Sequence, residues 1–199
     1  RPELPSSYQP MKKFILKLSA LASVLLFSNG LHALEIGDPV PAFNALDDHG
    51  KVWKSTHFLG KKMLLVYFYP AAMTGGCTKQ ACAFRDDKAI WDKMDVEVVG
   101  VSGDQPEGLA LFKKAEGLNF TLLADPDGKV AKTFGVPAGK GGSIERTVKG
   151  KKVTLKRGVT AKRWTFLLSK EGKILYKNDK VQAAQDSATV QGFLKTKKK

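Results

Sequence analysis

Cys77 and Cys82 are the two cysteines of the chain, and they stand five residues apart in Pro70-Ala71-Ala72-Met73-Thr74-Gly75-Gly76-Cys77-Thr78-Lys79-Gln80-Ala81-Cys82-Ala83-Phe84-Arg85. A thiol acts as a nucleophile through its thiolate, and the sequence around Cys77 predicts a setting that favours an anion. The apolar run from Met63 to Tyr69 stops at Pro70, small residues follow, and from about Gly76 the pattern takes a helical period. Cys77 therefore falls at a helix N-terminus, where unpaired backbone N–H groups and the positive end of the helix dipole attract negative charge. It is the candidate nucleophile, and Cys82 is its candidate redox partner. On one regular helix a five-residue separation sets the α-carbons about 8 to 9 Å apart. A disulfide needs about 7 Å or less. Either the two thiols never pair, or the first turns of the helix open to let them meet, a local opening that costs far less than global unfolding.

Pro70, Thr74 and Cys77 have Pro-x-x-x-Thr-x-x-Cys spacing, the second cysteine lies at plus five, and Ala83-Phe84-Arg85-Asp86 follows. On these residues the chain resembles the peroxiredoxins, thiol peroxidases of thioredoxin-like fold, and specifically the peroxiredoxin Q or bacterioferritin-comigratory type. Leu123-Ala124-Asp125-Pro126-Asp127-Gly128-Lys129-Val130 and Arg163-Trp164-Thr165-Phe166-Leu167-Leu168 resemble two further landmarks, and the likeness runs from about Ile36 to Leu194. The resemblance implies a peroxidase acting on hydrogen peroxide and organic hydroperoxides. Cys77 would become a sulfenic acid, Cys82 would condense with it to an intramolecular disulfide, and a thioredoxin-like dithiol protein would restore both. No cofactor and no metal is expected.

The remaining site candidates follow from topology and chemistry together. Arg163 opens a strand expected beside Leu64 to Tyr69, so its guanidinium can reach the cysteine helix and stabilise negative charge there. The Thr74 hydroxyl can both donate to and accept from a peroxide oxygen, or serve as a turn or capping residue. Pro70 would shield the thiolate and end the strand. Gln80, one turn beyond Cys77, is expected to support the site by hydrogen bonding. His49 and His57 lie at no metal-ligand spacing to the cysteines or to each other and are expected in solvated loops. Two positions depart from the family pattern. Gly75-Gly76 replaces the usual Pro-Gly, which predicts a less preorganised loop. Trp164 stands where a small residue is usual, which predicts a narrowed or roofed pocket.

These residues must be positioned by an ordered alternation of elements. Continuous apolar runs from Leu64 to Tyr69 and Val96 to Val101 predict buried parallel strands, separated by a cysteine helix from about Gly76 to Lys93. A helix from Pro106 to about Glu116, a strand from Phe120 to Leu123 and a short helix from Val130 to Phe134 come next. A hairpin of Trp164 to Leu168 with Ile174 to Lys177 precedes a closing helix around Asp186 to Lys195. The class is α/β: a thioredoxin-like fold with a central mixed β-sheet and helices on both faces.

At 199 residues and 43% hydrophobic content the chain can bury one core. Residues 1–10 read as upstream sequence. Residues 11–33 read as a secretory signal peptide, with the basic start Met11-Lys12-Lys13, an apolar segment from Leu18 to Phe27 and a small residue at Ala33 for cleavage. Residues 34–199 read as a single thioredoxin-like peroxiredoxin domain. The protein is accordingly expected to be exported, periplasmic or secreted. A cysteine pair in an exported chain ordinarily indicates a static disulfide. Closing so short a gap gains little loop entropy while costing helix, which argues for the redox-active pair.

The net charge is +14, and Lys140 to Arg163 holds nine Lys or Arg against the single Glu145. Such a stretch can solubilise a face or bind anionic surfaces weakly; no nucleic-acid motif accompanies it, and no specific nucleic acid is expected. The chain is expected to be a monomer or weak dimer. Two rival functions remain. A thiol-transfer or copper-carrying protein on this fold would want a shorter cysteine spacing and, for copper, a further ligand. A non-enzymatic anion-binding module has only the charge in its favour.

Overall fold

The computed structural model describes residues 34–197, so the segment read as a signal peptide lies outside the described residues. Its centre is set by two Val- and Leu-rich runs, β3 (Met63–Phe68) and β4 (Val96–Ser102), which pair in parallel. Residues of this kind cannot be solvated on either side, so both strands are covered on both faces. β4 pairs in parallel with β5 (Thr121–Ala124), and β3 pairs antiparallel with β8 (Thr165–Leu168), which turns back into β9 (Ile174–Asn178). A hairpin of β1 (Asn44–Asp47) and β2 (Val52–Lys54) completes the other edge, giving the mixed seven-stranded order β2-β1-β5-β4-β3-β8-β9.

Alternation along β3 divides the core. Leu65, Tyr67 and Tyr69 face α1 (Gly75–Asp86), α2 (Lys88–Lys93), α3 (Pro106–Glu116) and α5 (Asp186–Lys197), whereas Leu64, Val66 and Phe68 face α4 (Lys129–Thr133) and the aromatic residues Phe43, Trp53 and Phe134. Helices thus cover both faces of a thioredoxin-like sheet. Tyr67 fits beneath α1 only because its register partner on β4 is Gly100: a Cβ there would lie 2.6 Å from the Tyr67 ring.

The cysteine helix is shorter than its periodicity predicts. It breaks at Asp87, whose carboxylate accepts hydrogen bonds from Ser187 (2.7 Å) and Gln191 (2.8 Å) of α5. The basic stretch also has regular structure. β6 (Ala138–Val148) and β7 (Lys151–Ala161) form a separate antiparallel ribbon joined by Lys149 and Gly150, both at positive φ, as a two-residue hairpin turn requires. The base of the ribbon docks where β4 leads into α3, through Gly158 N–H to the Gly103 carbonyl (2.9 Å) and Gln105 N–H to the Lys156 carbonyl (3.1 Å).

Candidate active site

The β3 ladder runs one residue past the strand, with Tyr69 N–H donating to the Val101 carbonyl (3.0 Å), and ends at Pro70, which has no N–H to give. The loop after it is tied from three directions. Ala72 N–H donates to Asp104 Oδ2 (2.8 Å), which also accepts from the Ser102 hydroxyl (2.8 Å). Arg146, reaching in from the ribbon, donates through Nε to the Met73 carbonyl (2.8 Å), and Met73 itself sits in the left-handed region at φ 57°. The Thr74 hydroxyl donates to the Ala71 carbonyl (2.9 Å). It does not cap the helix that starts at Gly75.

Cys77 lies in the first turn of that helix and is 2% exposed. Arg163, two residues before β8, donates through Nη2 to its Sγ at 3.3 Å. The guanidinium passes close over Gly76, where a Cβ would stand 3.4 Å from the same Nη2, at ordinary contact distance. Gly75 and Gly76 are helical residues at ordinary φ rather than parts of a loose loop. Arg163 Nη1 donates to Gln80 Oε1, and Gln80 Nε2 donates to Asp186 Oδ2 at 2.7 Å. The Thr165 hydroxyl donates to the same carboxylate oxygen, also at 2.7 Å. Burial pushes the Asp186 carboxyl up, opposed by the hydrogen bonds from Thr165 and Gln80 and by the Arg163 charge.

An ionised carboxylate only accepts, so Asp186 fixes which end of the Gln80 amide turns to Arg163. Asp186→Asn keeps the shape but offers a donor, which favours the flipped amide and presents an NH2 to the guanidinium. The expectation that Cys77 is the nucleophile therefore predicts a first reaction with peroxide slowed by about tenfold in this variant, at a cost of about 1 kcal/mol of stability, since a polar partner remains. Stopped-flow peroxide kinetics beside a thermal melt check both halves.

Cys82 is free, like Cys77, and partly exposed on the unbroken helix α1. Its thiol donates to Glu116 Oε2 at 3.8 Å. Burial pushes the Cys82 thiol up, and the Glu116 and Asp86 carboxylates add to this while Arg85 opposes it. Beneath both cysteines the Tyr67 hydroxyl is held well above its ordinary range, first by burial and then by the charges of Cys77 and Asp186.

Of the predicted site residues, Cys77, Arg163 and Gln80 come together in direct contact. Thr74 and Pro70 border them on the loop before α1, half-buried, with the Thr74 hydroxyl engaged by backbone. Trp164 does not roof the pocket. It lies on the opposite face of the sheet, packed on Phe166 at 6.1 Å with Lys177 over its ring. Period-two alternation explains this, because Arg163 faces the cysteine helix and its neighbour must face away. His49 and His57 stand in exposed positions. The sequence reading missed Asp186, Asp104, Arg146 and Glu116. A signal existed for Asp104, a carboxylate just past a buried apolar strand, but none for the others.

A thioredoxin-like sheet that places a buried cysteine at a helix N-terminus under an arginine, with a second free cysteine on the same helix, defines the class of thiol peroxidases. Residues 36–177 match the family model described as the AhpC/TSA family. Peroxiredoxin Bcp of Escherichia coli is 38% identical over 165 residues, which is 83% of this chain and 98% of that protein. The crystal structure of peroxidoxin BcpB from Mycobacterium tuberculosis superposes with a TM-score of 0.68 at 29% identity, covering 82% of this chain and 97% of that one. A bacterioferritin comigratory protein of Xanthomonas campestris, described for its alkyl peroxide reduction activity, gives a TM-score of 0.66 at 27% identity, covering 83% and 98%. The chain belongs to the AhpC/TSA family and is a peroxiredoxin, a thiol-dependent peroxidase.

Proposed function

We propose that Cys77 is the peroxidatic thiol and Cys82 the resolving thiol, acting on hydrogen peroxide and alkyl hydroperoxides. The observation that carries this reading is the 3.3 Å contact of Arg163 Nη2 with Cys77 Sγ on the helix that also bears Cys82. The Cys77 thiolate attacks one peroxide oxygen, the O–O bond breaks, and water or an alcohol leaves with a proton. Arg163 offers a donor to the charge developing on the oxygens, and the Thr74 hydroxyl, whose proton goes to the Ala71 carbonyl, keeps acceptor capacity on the loop just before the helix. Cys82 then displaces hydroxide from the Cys77 sulfenic acid, forming the disulfide and water, and a thioredoxin-like dithiol reduces it.

The two α-carbons are about 8 to 9 Å apart on a regular helix, so disulfide formation must unwind the start of α1. Reduced protein should consume one equivalent of peroxide with the appearance of an intramolecular disulfide by mass. Amide hydrogen exchange in the peptide from Thr74 to Arg85 should rise on oxidation. Equal protection in both forms, with the disulfide confirmed, would rule out the unwinding.

The sequence further supports a signal peptide at residues 11–33 on a domain of residues 34–199, export to the periplasm or beyond, a monomer or weak dimer, and weak anionic-surface binding through the basic ribbon. The thiol-transfer and copper-carrying alternative has no support among the relatives. Intact-mass analysis of the native protein tests the cleavage, whose expected product begins at Leu34.

A further inference from the structure

We propose that Glu116 is a positioning residue that holds Cys82 docked and protonated in the reduced protein, and so sets how long the Cys77 sulfenic acid survives before the disulfide closes. The proposal rests on the reading of Cys82 as the resolving thiol. Glu116 is the last residue of α3, far in sequence from both cysteines, yet it holds α1 by two hydrogen bonds. Its carboxylate accepts from Cys82 Sγ at 3.8 Å, and its backbone carbonyl accepts from Arg85 Nη1. Asn119, in the turn that follows α3, donates to the Arg85 carbonyl at 3.2 Å. The end of α3 therefore clasps α1 along the turn that carries Cys82.

The direction of the effect follows from where this clasp exists. It is made on the folded helix, where the two thiols cannot reach one another. For attack, Cys82 must leave Glu116, travel to Cys77 and give up its proton. An interaction present in the ground state and absent in the transition state slows the step. The carboxylate therefore cannot serve as the proton acceptor of the attack itself. The proton ends on the hydroxide displaced from Cys77, leaving a disulfide and one water.

The charged and titratable groups facing Cys82 are Glu116 from α3, Arg85 and Asp86 from its own helix, and Tyr67 from β3 beneath it. The two carboxylates oppose ionisation of the thiol and Arg85 favours it. Removing the Glu116 charge leaves Arg85 with one carboxylate fewer against it, so the thiolate forms at lower pH.

The test is single-turnover disulfide formation in the whole protein, followed by acid quench and mass spectrometry after one equivalent of hydrogen peroxide, across pH 5 to 9. Glu116→Gln keeps the shape of the side chain and removes its charge. We expect it to form the disulfide about three- to tenfold faster at neutral pH, about the difference between a hydrogen bond to a charged acceptor and one to a neutral acceptor, with the pH midpoint of that phase shifted down. It should also accumulate less sulfinic acid at high peroxide. Glu116→Ala should be at least as fast, and Glu116→Asp, which keeps the charge on a shorter arm, should return the midpoint toward the parent. A loss of folding alone would quicken opening without moving the midpoint. An unchanged or slower disulfide phase with an unchanged midpoint in Glu116→Gln overturns this inference and leaves the peroxidase reading intact. Absence of any intramolecular disulfide in the parent overturns the reading and the inference with it.

Discussion

Replacing Cys77 with serine is expected to abolish peroxide reduction, whereas replacing Cys82 with serine is expected to leave one rapid turnover. The asymmetry follows from position. Cys77 is in the first helical turn, within 3.3 Å of a guanidinium, and Cys82 is more than one turn along, against a carboxylate. A serine hydroxyl in place of Cys77 has no accessible anion and no sulfur to oxidise, so the loss should reach the background rate. Cys82→Ser should consume about one equivalent of peroxide and then stall or over-oxidise, because no internal thiol captures the sulfenic acid. Peroxide consumption by the two reduced variants, with the oxidation state of the remaining cysteine read by mass, decides the matter. Continued turnover of Cys77→Ser on Cys82 alone would reverse the assignment.

Removal of the Arg163 side chain should produce the next largest effect. Its guanidinium is the cation in hydrogen-bonding contact with Cys77, and it is held there through Gln80 by Asp186. A donor preorganised at developing negative charge is worth about 2 to 4 kcal/mol, so Arg163→Ala should slow the first reaction with peroxide by about 30- to 900-fold. Lysine at this position keeps the charge but cannot hold two acceptors in one planar fork, and Arg163→Lys should recover only part of the rate. Stopped-flow measurement of sulfenic acid formation checks the series. A variant as fast as the parent would make the arginine a spectator.

Much of this arrangement is legible in the sequence, for reasons that differ by element. β3 and β4 announce themselves because strands covered on both faces must be continuously apolar, and α3 because Pro106 opens it and Gly117 closes it in the left-handed region. The cysteine helix is visible at its start but not at its end. Its period continues through Asp87, and the break comes from α5, a hundred residues away in sequence. The ribbon is hidden by its lysines. Ile144, Arg146 and Val148 alternate inward, as do Val153, Leu155 and Arg157, but the basic residues between them read as a solvated run. Arg163 could be placed by topology, whereas the carboxylate that orients its partner could not. Asp186 and Gln80 are 106 positions apart, and only the packing of α5 on α1 joins them.

The ribbon imposes an arithmetic on how this protein can change length. Arg146 reaches the Met73 carbonyl because it sits on the inward face of β6, and the turn at Lys149 and Gly150 begins only three residues beyond it. Residues added in pairs past Val148 would lengthen the arm without disturbing that reach. A single residue inserted between Ala138 and Arg146 would transpose the inward side chains of β6 beyond it to the outside, because strand side chains alternate face by face. The arginine would then point to solvent and the Met73 loop would lose its anchor, although no residue of the active site had been altered. The parity of the chain between Ala138 and Arg146 is thus as much a constraint on the site as the spacing of the cysteines.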